Sequence, residues 1–192
     1  MLTHLYLIRH GETAWSLSGQ HTSRTDVPLT EKGELDARSL AGRLDGVRFN
    51  GILTSPRMRA RQTCELAGFG TRNRIEPDLT EWDYGDYEGL KSTEIHQMRP
   101  DWNIFRDGCP QGESPEAVSA RADRLIARLR ALEGKVALFT HGHFGRVLAA
   151  RWIDARLEVG QRFLLSPASI SILSYEHDNP AAPVISLWNS TR

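Results

Sequence analysis

The chain has 192 residues, 40% of them hydrophobic and 25% charged, which suits one domain with a core of its own. Its 24 basic and 24 acidic side chains cancel, so no overall field favours nucleic acid or a membrane surface. No apolar run approaches the roughly 18 residues of a membrane span, and the N-terminus lacks the pattern of a cleaved leader. Cys64 and Cys109 make no disulfide framework and no CxxC, so reduced thiols in a cytoplasmic protein are expected.

Residues 4–9 read as a first strand, running directly into Arg9-His10-Gly11. Residues 16–29 are polar and aperiodic, a long loop of the kind that often carries function. Thr30 has the character of a helix cap, with Glu31 and Glu34 in the first turn and Ala37, Leu40, Ala41 and Leu44 at helical spacing. Residues 51–54 form a second short strand. Ser55-Pro56 then opens a helix that turns Ala60, Cys64 and Ala67 inward and closes at Gly68.

Residues 74–76 suit a third strand, and Ser92 caps a short helix to Met98. The stretch at about 78–113 is an excursion expected to lie over one end of the sheet. Ser114-Pro115-Glu116 starts a helix with the stripe Val118, Ala122, Leu125, Leu129 and Leu132, stopped by Gly134. Residues 135–140 are a buried strand ending in His141-Gly142-His143, followed by a helix over 144–153. Two late strands, 169–175 and 183–188, flank Asp178-Asn179-Pro180 as a hairpin. The alternation of strand and helix predicts an α/β fold, with 1–192 as a single domain.

Three strands end in polar clusters: Arg9-His10-Gly11, Thr54-Ser55-Pro56 leading to Arg57 and Arg59, and Thr140-His141-Gly142-His143. If these strands are parallel neighbours, the clusters meet at one sheet edge. They then combine imidazoles, guanidiniums, backbone amides and helix N-termini into an anion site suited to phosphate. Phosphate monoester hydrolysis needs accelerations of up to ~10²¹, or roughly 29 kcal/mol. A single general base supplies only about 10²–10⁴. A neutral imidazole that attacks phosphorus divides the reaction into two steps, and nearby guanidiniums both disfavour its protonation and neutralise the transferring group.

Leu7-Ile8-Arg9-His10-Gly11-Glu12-Thr13-Ala14-Trp15 resembles the signature of the histidine phosphatase superfamily, the phosphoglycerate mutase-like fold. Residues 54–63, Glu81-Trp82-Asp83-Tyr84-Gly85-Asp86-Tyr87-Glu88-Gly89, Gly112-Glu113-Ser114 and Thr140-His141-Gly142-His143 resemble its further motifs, in family order. The resemblance implies a three-layer α/β/α sandwich with a mostly parallel central sheet. It implies His10 as the phosphorylated nucleophile, Arg9 and Arg59 as phosphate clamps, His141 as a second pocket imidazole and Glu81 as proton donor. That last role requires a protonated carboxyl at the start, hence an acidic to neutral optimum. No metal and no cofactor are implied.

The short chain, its Tyr87-Glu88-Gly89 and its stretch from Trp15 to Asp26 resemble phosphatases of the sedoheptulose-bisphosphatase and broad-specificity acid phosphatase type. The resemblance therefore points to a small phosphorylated metabolite, a sugar phosphate or bisphosphate. Phosphoglycerate mutase-type transfer and a non-catalytic phosphate-binding module are the alternatives. By position, Ser16, Thr22, Ser23, Tyr84, Gly142 and Arg146 are assigned to substrate binding, with Arg146 as holder of a second anionic group. Ser16 stands where many members have Asn, and a hydroxyl offers one donor instead of the amide's two.

Each assignment has a plain alternative. Arg9-His10 can be a solvated strand end, Glu81 an exposed loop acid and Arg146 an idle surface charge. His143 can share a metal with His141 or stand at the rim; Arg57 and Arg61 can be solvated helix charges. A homodimer is compatible with the sequence, which does not determine the oligomeric state.

Overall fold

The protein is described from a computed structural model covering residues 2–192. It begins with β1 (Thr3–Arg9), then the short helix α1 (Ala14–Ser18), α2 (Glu31–Arg43), β2 (Gly51–Thr54), α3 (Met58–Cys64) and β3 (Arg74–Ile75). After these come α4 (Ser92–Met98), α5 (Ile104–Asp107), α6 (Pro115–Arg130), β4 (Gly134–Thr140), α7 (Gly142–Trp152), β5 (Ile170–Tyr175) and β6 (Pro183–Ser190). The strands form one sheet in the order β3-β2-β4-β1-β5-β6. The first four run parallel, whereas β5 is antiparallel to both β1 and β6.

Alternation along the central strands builds a core on each face of the sheet. Leu5, Leu7, Val136 and Leu138 pack with Val118, Leu125 and Leu129 of α6 and Phe144 and Leu148 of α7. Ile8, Ile52, Ala137 and Phe139 pack with Leu40 of α2 and Cys64 of α3 on the other side. The result is helices on both faces of a mostly parallel sheet, as the sequence predicts. Burial pushes the Cys64 and Cys109 thiols up to about 12. Among the described residues, no helix is long and apolar enough to cross a membrane.

Several element limits differ from the sequence reading. Residues 14–18 are helical because Thr13 and Ser16 form a reciprocal capping box, so the long loop starts only at Gly19. The helix after β2 starts at Met58, with Arg57 as its cap residue, and the Ser55 hydroxyl, which accepts from the Arg57 amide at 3.3 Å, also faces His141. Helix α7 starts two residues early, directly after His141. Leu132 lies beyond the end of α6 and is exposed.

Register brings the reactive segments level. Arg9 pairs with Thr140, and Thr54 with Phe139, so β1, β2 and β4 end at one edge of the sheet. Gly11 crosses the start of α2 so closely that a Cβ would stand 2.5 Å from the Gly33 carbonyl oxygen. Its small size therefore serves backbone packing against α2, where the sequence reading gave it to a ligand.

Between β3 and α6 the chain leaves the sheet in short turns and the helices α4 and α5. Arg121 of α6, itself buried, anchors the start of this segment. It donates to the Asp78 and Thr80 carbonyls at 2.9 and 2.8 Å and to the Glu81 carbonyl at 3.3 Å. Its other face grips both Glu113 carboxylate oxygens at 2.8 and 2.6 Å, and its guanidinium lies 4.1 Å over the Phe144 ring. Breaking such a buried pair by removing one partner costs about 3–5 kcal/mol. Arg121→Ala should lower the unfolding free energy by that amount in urea titration. A change within about 0.5 kcal/mol, the usual range of surface substitutions, would show that the anchor carries no stability.

Candidate active site

His10 follows the last residue of β1 and is 5% exposed. Its Nδ1 stands 2.7 Å from the Gly11 carbonyl oxygen, and a carbonyl only accepts, so Nδ1 carries the proton. Nε2 is then left with its lone pair. Burial, followed by the charges of Arg59 and Arg9, holds the imidazole well below its ordinary pKa of 6.5, so it is neutral. The ring lies edge-on to His141, with centroids 5.2 Å apart.

Arg59 and His141 are both 0% exposed. Arg59 spends its Nη1 on the Thr25 carbonyl and its Nη2 on those of Thr22 and Ser23, at 3.1, 2.9 and 3.4 Å. Arg9 donates through Nη1 to the Leu165 carbonyl. His141 places its Nε2 2.8 Å from the Ser55 hydroxyl. Like His10, it is held neutral, by burial first and then by Arg59, His10 and Arg9.

What remains is a set of buried nitrogen atoms with no partner: Arg9 Nε, Arg59 Nε and His141 Nδ1. Two others, Arg43 Nε and Arg57 Nε, belong to residues with no part in the electrostatics of His10. An unsatisfied buried donor costs about 1–3 kcal/mol, more if charged. Three around one neutral imidazole form a cradle that an anion would satisfy.

Glu81 is buried on the other side of the cavity, 7% exposed. Its Oε1 accepts from the Trp82 and Phe144 amides at 2.9 and 2.7 Å, and its Oε2 accepts only from the His143 amide at 3.1 Å. Two of these donors are the first-turn amides of α7, a place where a carboxyl suits the helix dipole. The carboxyl is thereby fixed, and Oε2 is its less committed oxygen. Tyr84 hydroxyl and His143 Nδ1 lie 2.7 Å apart, and burial keeps the phenol protonated and His143 neutral. His143 is on the first turn of a helix, not on a strand with His141, which removes the face-sharing argument for a shared metal.

A cavity of about 320 Å³ opens above His10, walled by Arg9, His10, Glu81, Gly142 and His143 and, further out, by Ser16, Thr22, Tyr84 and Arg146. Arg59, His141 and Ser23 are buried and do not line it. Of the assigned substrate residues, Ser16 spends its hydroxyl on the Thr13 amide and carbonyl. Ser23 spends its own on Glu88, at 2.6 Å. Arg146 lines the cavity but ties Nε and Nη2 to the Gly160 and Gln161 carbonyls at 2.9 and 2.7 Å and stacks on Phe105. A Cβ on Gly142 would stand 3.3 Å from Arg9 Cζ, so its smallness makes room for the guanidinium.

Some residues that shape the site are given no role in it by the sequence reading. Glu88 accepts from the Ser23 and Thr25 amides and latches the loop that Arg59 holds from below. His21 and Ser92 also line the wall. Glu88 stands inside a quoted motif and His21 inside the long loop, so their positions were in view; their contacts were not.

A protein-family model described as the histidine phosphatase superfamily (branch 1) matches residues 5–191. The chain is 44% identical to an acid phosphatase of Mycobacterium tuberculosis over 90% of this chain and 87% of that one. It is 34% identical to the sedoheptulose 1,7-bisphosphatase of Saccharomyces cerevisiae, over 94% and 90%. Its fold superposes on the solved structure of a Mycobacterium tuberculosis open-reading-frame product with a TM-score of 0.92, 38% identity and 99% of each chain covered. Against the alpha-ribazole phosphatase of Shigella flexneri the TM-score is 0.85, with 28% identity over 98% of this chain and 96% of that one. The chain belongs to the histidine phosphatase superfamily and is a phosphatase with the phosphoglycerate mutase-like fold.

Proposed function

We propose that the protein hydrolyses monoesters of small phosphorylated metabolites, sugar phosphates or bisphosphates, through a phosphohistidine on His10, without a metal or cofactor. The observation that carries this reading is the cradle of unpartnered donors, Arg9 Nε, Arg59 Nε and His141 Nδ1, around an imidazole whose free nitrogen is Nε2. In the first step the Nε2 lone pair bonds to phosphorus as the ester P–O bond breaks. The leaving oxygen takes the proton of the Glu81 carboxyl. The Gly11 carbonyl, bound to Nδ1–H, steadies the positive charge that develops on the ring. The guanidiniums neutralise the equatorial oxygens, where charge accumulates.

In the second step water attacks phosphorus and gives its proton to Glu81 as the P–N bond breaks. Inorganic phosphate leaves, with His10 neutral and Glu81 protonated as at the start. The same reading gives Thr22, Tyr84 and Arg146 the leaving group and any second anion, with Ser16 and Ser23 acting through the loop they brace. It takes the segment at 78–113 as the cover of the site within a single domain, and it places the protein in the cytoplasm. The sugar-phosphate class rests on the sedoheptulose 1,7-bisphosphatase among its relatives.

Glu81→Gln keeps the size of the side chain and removes the proton. Its kcat should fall by about 10²–10⁴, more for alkyl phosphates than for p-nitrophenyl phosphate, whose leaving group needs no acid. Phosphate release by wild type decides between readings: return of the phosphoryl group to a second sugar would indicate a mutase, and no turnover a binding module. Equal losses for both esters in the variant would remove Glu81 from the acid role.

A second test comes from proton linkage. The folded pKa values of His10, His141 and His143 all lie well below the ordinary 6.5. As pH falls through 6.5, the unfolded chain takes up protons that the folded chain refuses, so stability falls. Each group adds up to about 1.4 kcal/mol per pH unit until its folded pKa is reached. Urea unfolding between about pH 7 and pH 5 should show this slope, made shallower by His143→Gln. A flat profile would contradict the buried neutral imidazoles.

A further inference from the structure

His141 is neutral and therefore carries one proton on one of two ring nitrogens. Its Nε2 faces the Ser55 hydroxyl at 2.8 Å, and its Nδ1 is buried with no partner. Ser55 is 0% exposed, and its oxygen already accepts from the Arg57 amide at 3.3 Å. A hydroxyl has one proton to give. No acceptor other than His141 Nε2 stands within reach of that proton among the described residues.

We infer that Ser55 donates to His141 Nε2 and so holds the ring in the Nδ1–H tautomer, with its N–H turned to the place where the phosphoryl group binds. The opposite tautomer would leave the serine proton unpaired in the core. It would also present a bare lone pair to an incoming anion. Ser55 is thus a positioning residue that acts through His141, in the way a buried carboxylate sets the tautomer of a catalytic histidine in hydrolases. The use of the N–H rests on the phosphatase reading; the tautomer itself does not.

Long-range ¹H–¹⁵N spectra of the ligand-free protein read the tautomer directly, with His141 assigned from a His141→Gln sample. Wild type should show His141 as Nδ1–H, and Ser55→Ala should shift it to Nε2–H or to a mixture. The kcat of Ser55→Ala should fall by about 10²–10³, the usual loss for one oxyanion donor, and Ser55→Thr, which keeps the hydroxyl, should recover most of it. An Nε2–H tautomer in wild type overturns the inference, and does so even if Ser55→Ala does not fold. Ser55→Ala with the wild-type tautomer and kcat overturns it as well. An Nδ1–H wild type without turnover upholds the role of Ser55 and rejects the phosphatase reading, so the two fail separately.

Discussion

Two guanidinium groups, the half-buried Arg9 at the end of β1 and the buried Arg59 in the first turn of α3, have mainly backbone carbonyls as partners: Leu165 for Arg9, and Thr22, Ser23 and Thr25 for Arg59. Taking such charges out of water costs several kcal/mol each, and carbonyl dipoles offset that only in part. Glu81 is the acidic group whose charge, when it is ionised, acts on both. The surrounding elements can be read as answers to this constraint. The loop after α1 folds back so that its carbonyls meet Arg59. The turn before β5 does the same for Arg9. Glu88 and Arg121 hold in place the segments that supply these contacts.

The same constraint underlies the proposed chemistry. Burial and positive charge together keep His10 neutral, as its proposed role of nucleophile requires, while the Gly11 carbonyl decides which nitrogen stays free. The guanidinium nitrogens left unpaired near His10 are the ones an anion would satisfy. On the proposed mechanism, binding a phosphoryl group would offset the cost of these unpaired donors, and would do so most in the transition state.

Much of this was legible in the sequence because it follows from local pattern. Short apolar runs ending in Arg9-His10, Thr54-Ser55 and Thr140-His141 place their polar ends at one edge once the strands are parallel. The α6 stripe follows from spacing alone. What could not be read was the destination of individual polar groups. Ser55 followed by Pro56 has the form of a cap, yet its hydroxyl turns to a histidine 86 positions away in sequence. Arg121 falls among polar residues of an amphipathic helix, and only the folded chain brings Glu113 and the Glu81 carbonyl to it. Arg146 lines the cavity, but the carbonyls of Gly160 and Gln161 that occupy much of it come from a turn that no motif marks.

The account turns on one atom, His10 Nε2, free because Nδ1–H is committed to the Gly11 carbonyl. The most direct measurement is to quench wild-type enzyme during turnover under alkaline conditions and identify the phosphorylated residue and ring position. Phosphate bonded to Nε2 of His10 is the predicted result. Phosphate on Nδ1, on another residue, or on no residue of an enzyme that is turning over would contradict it.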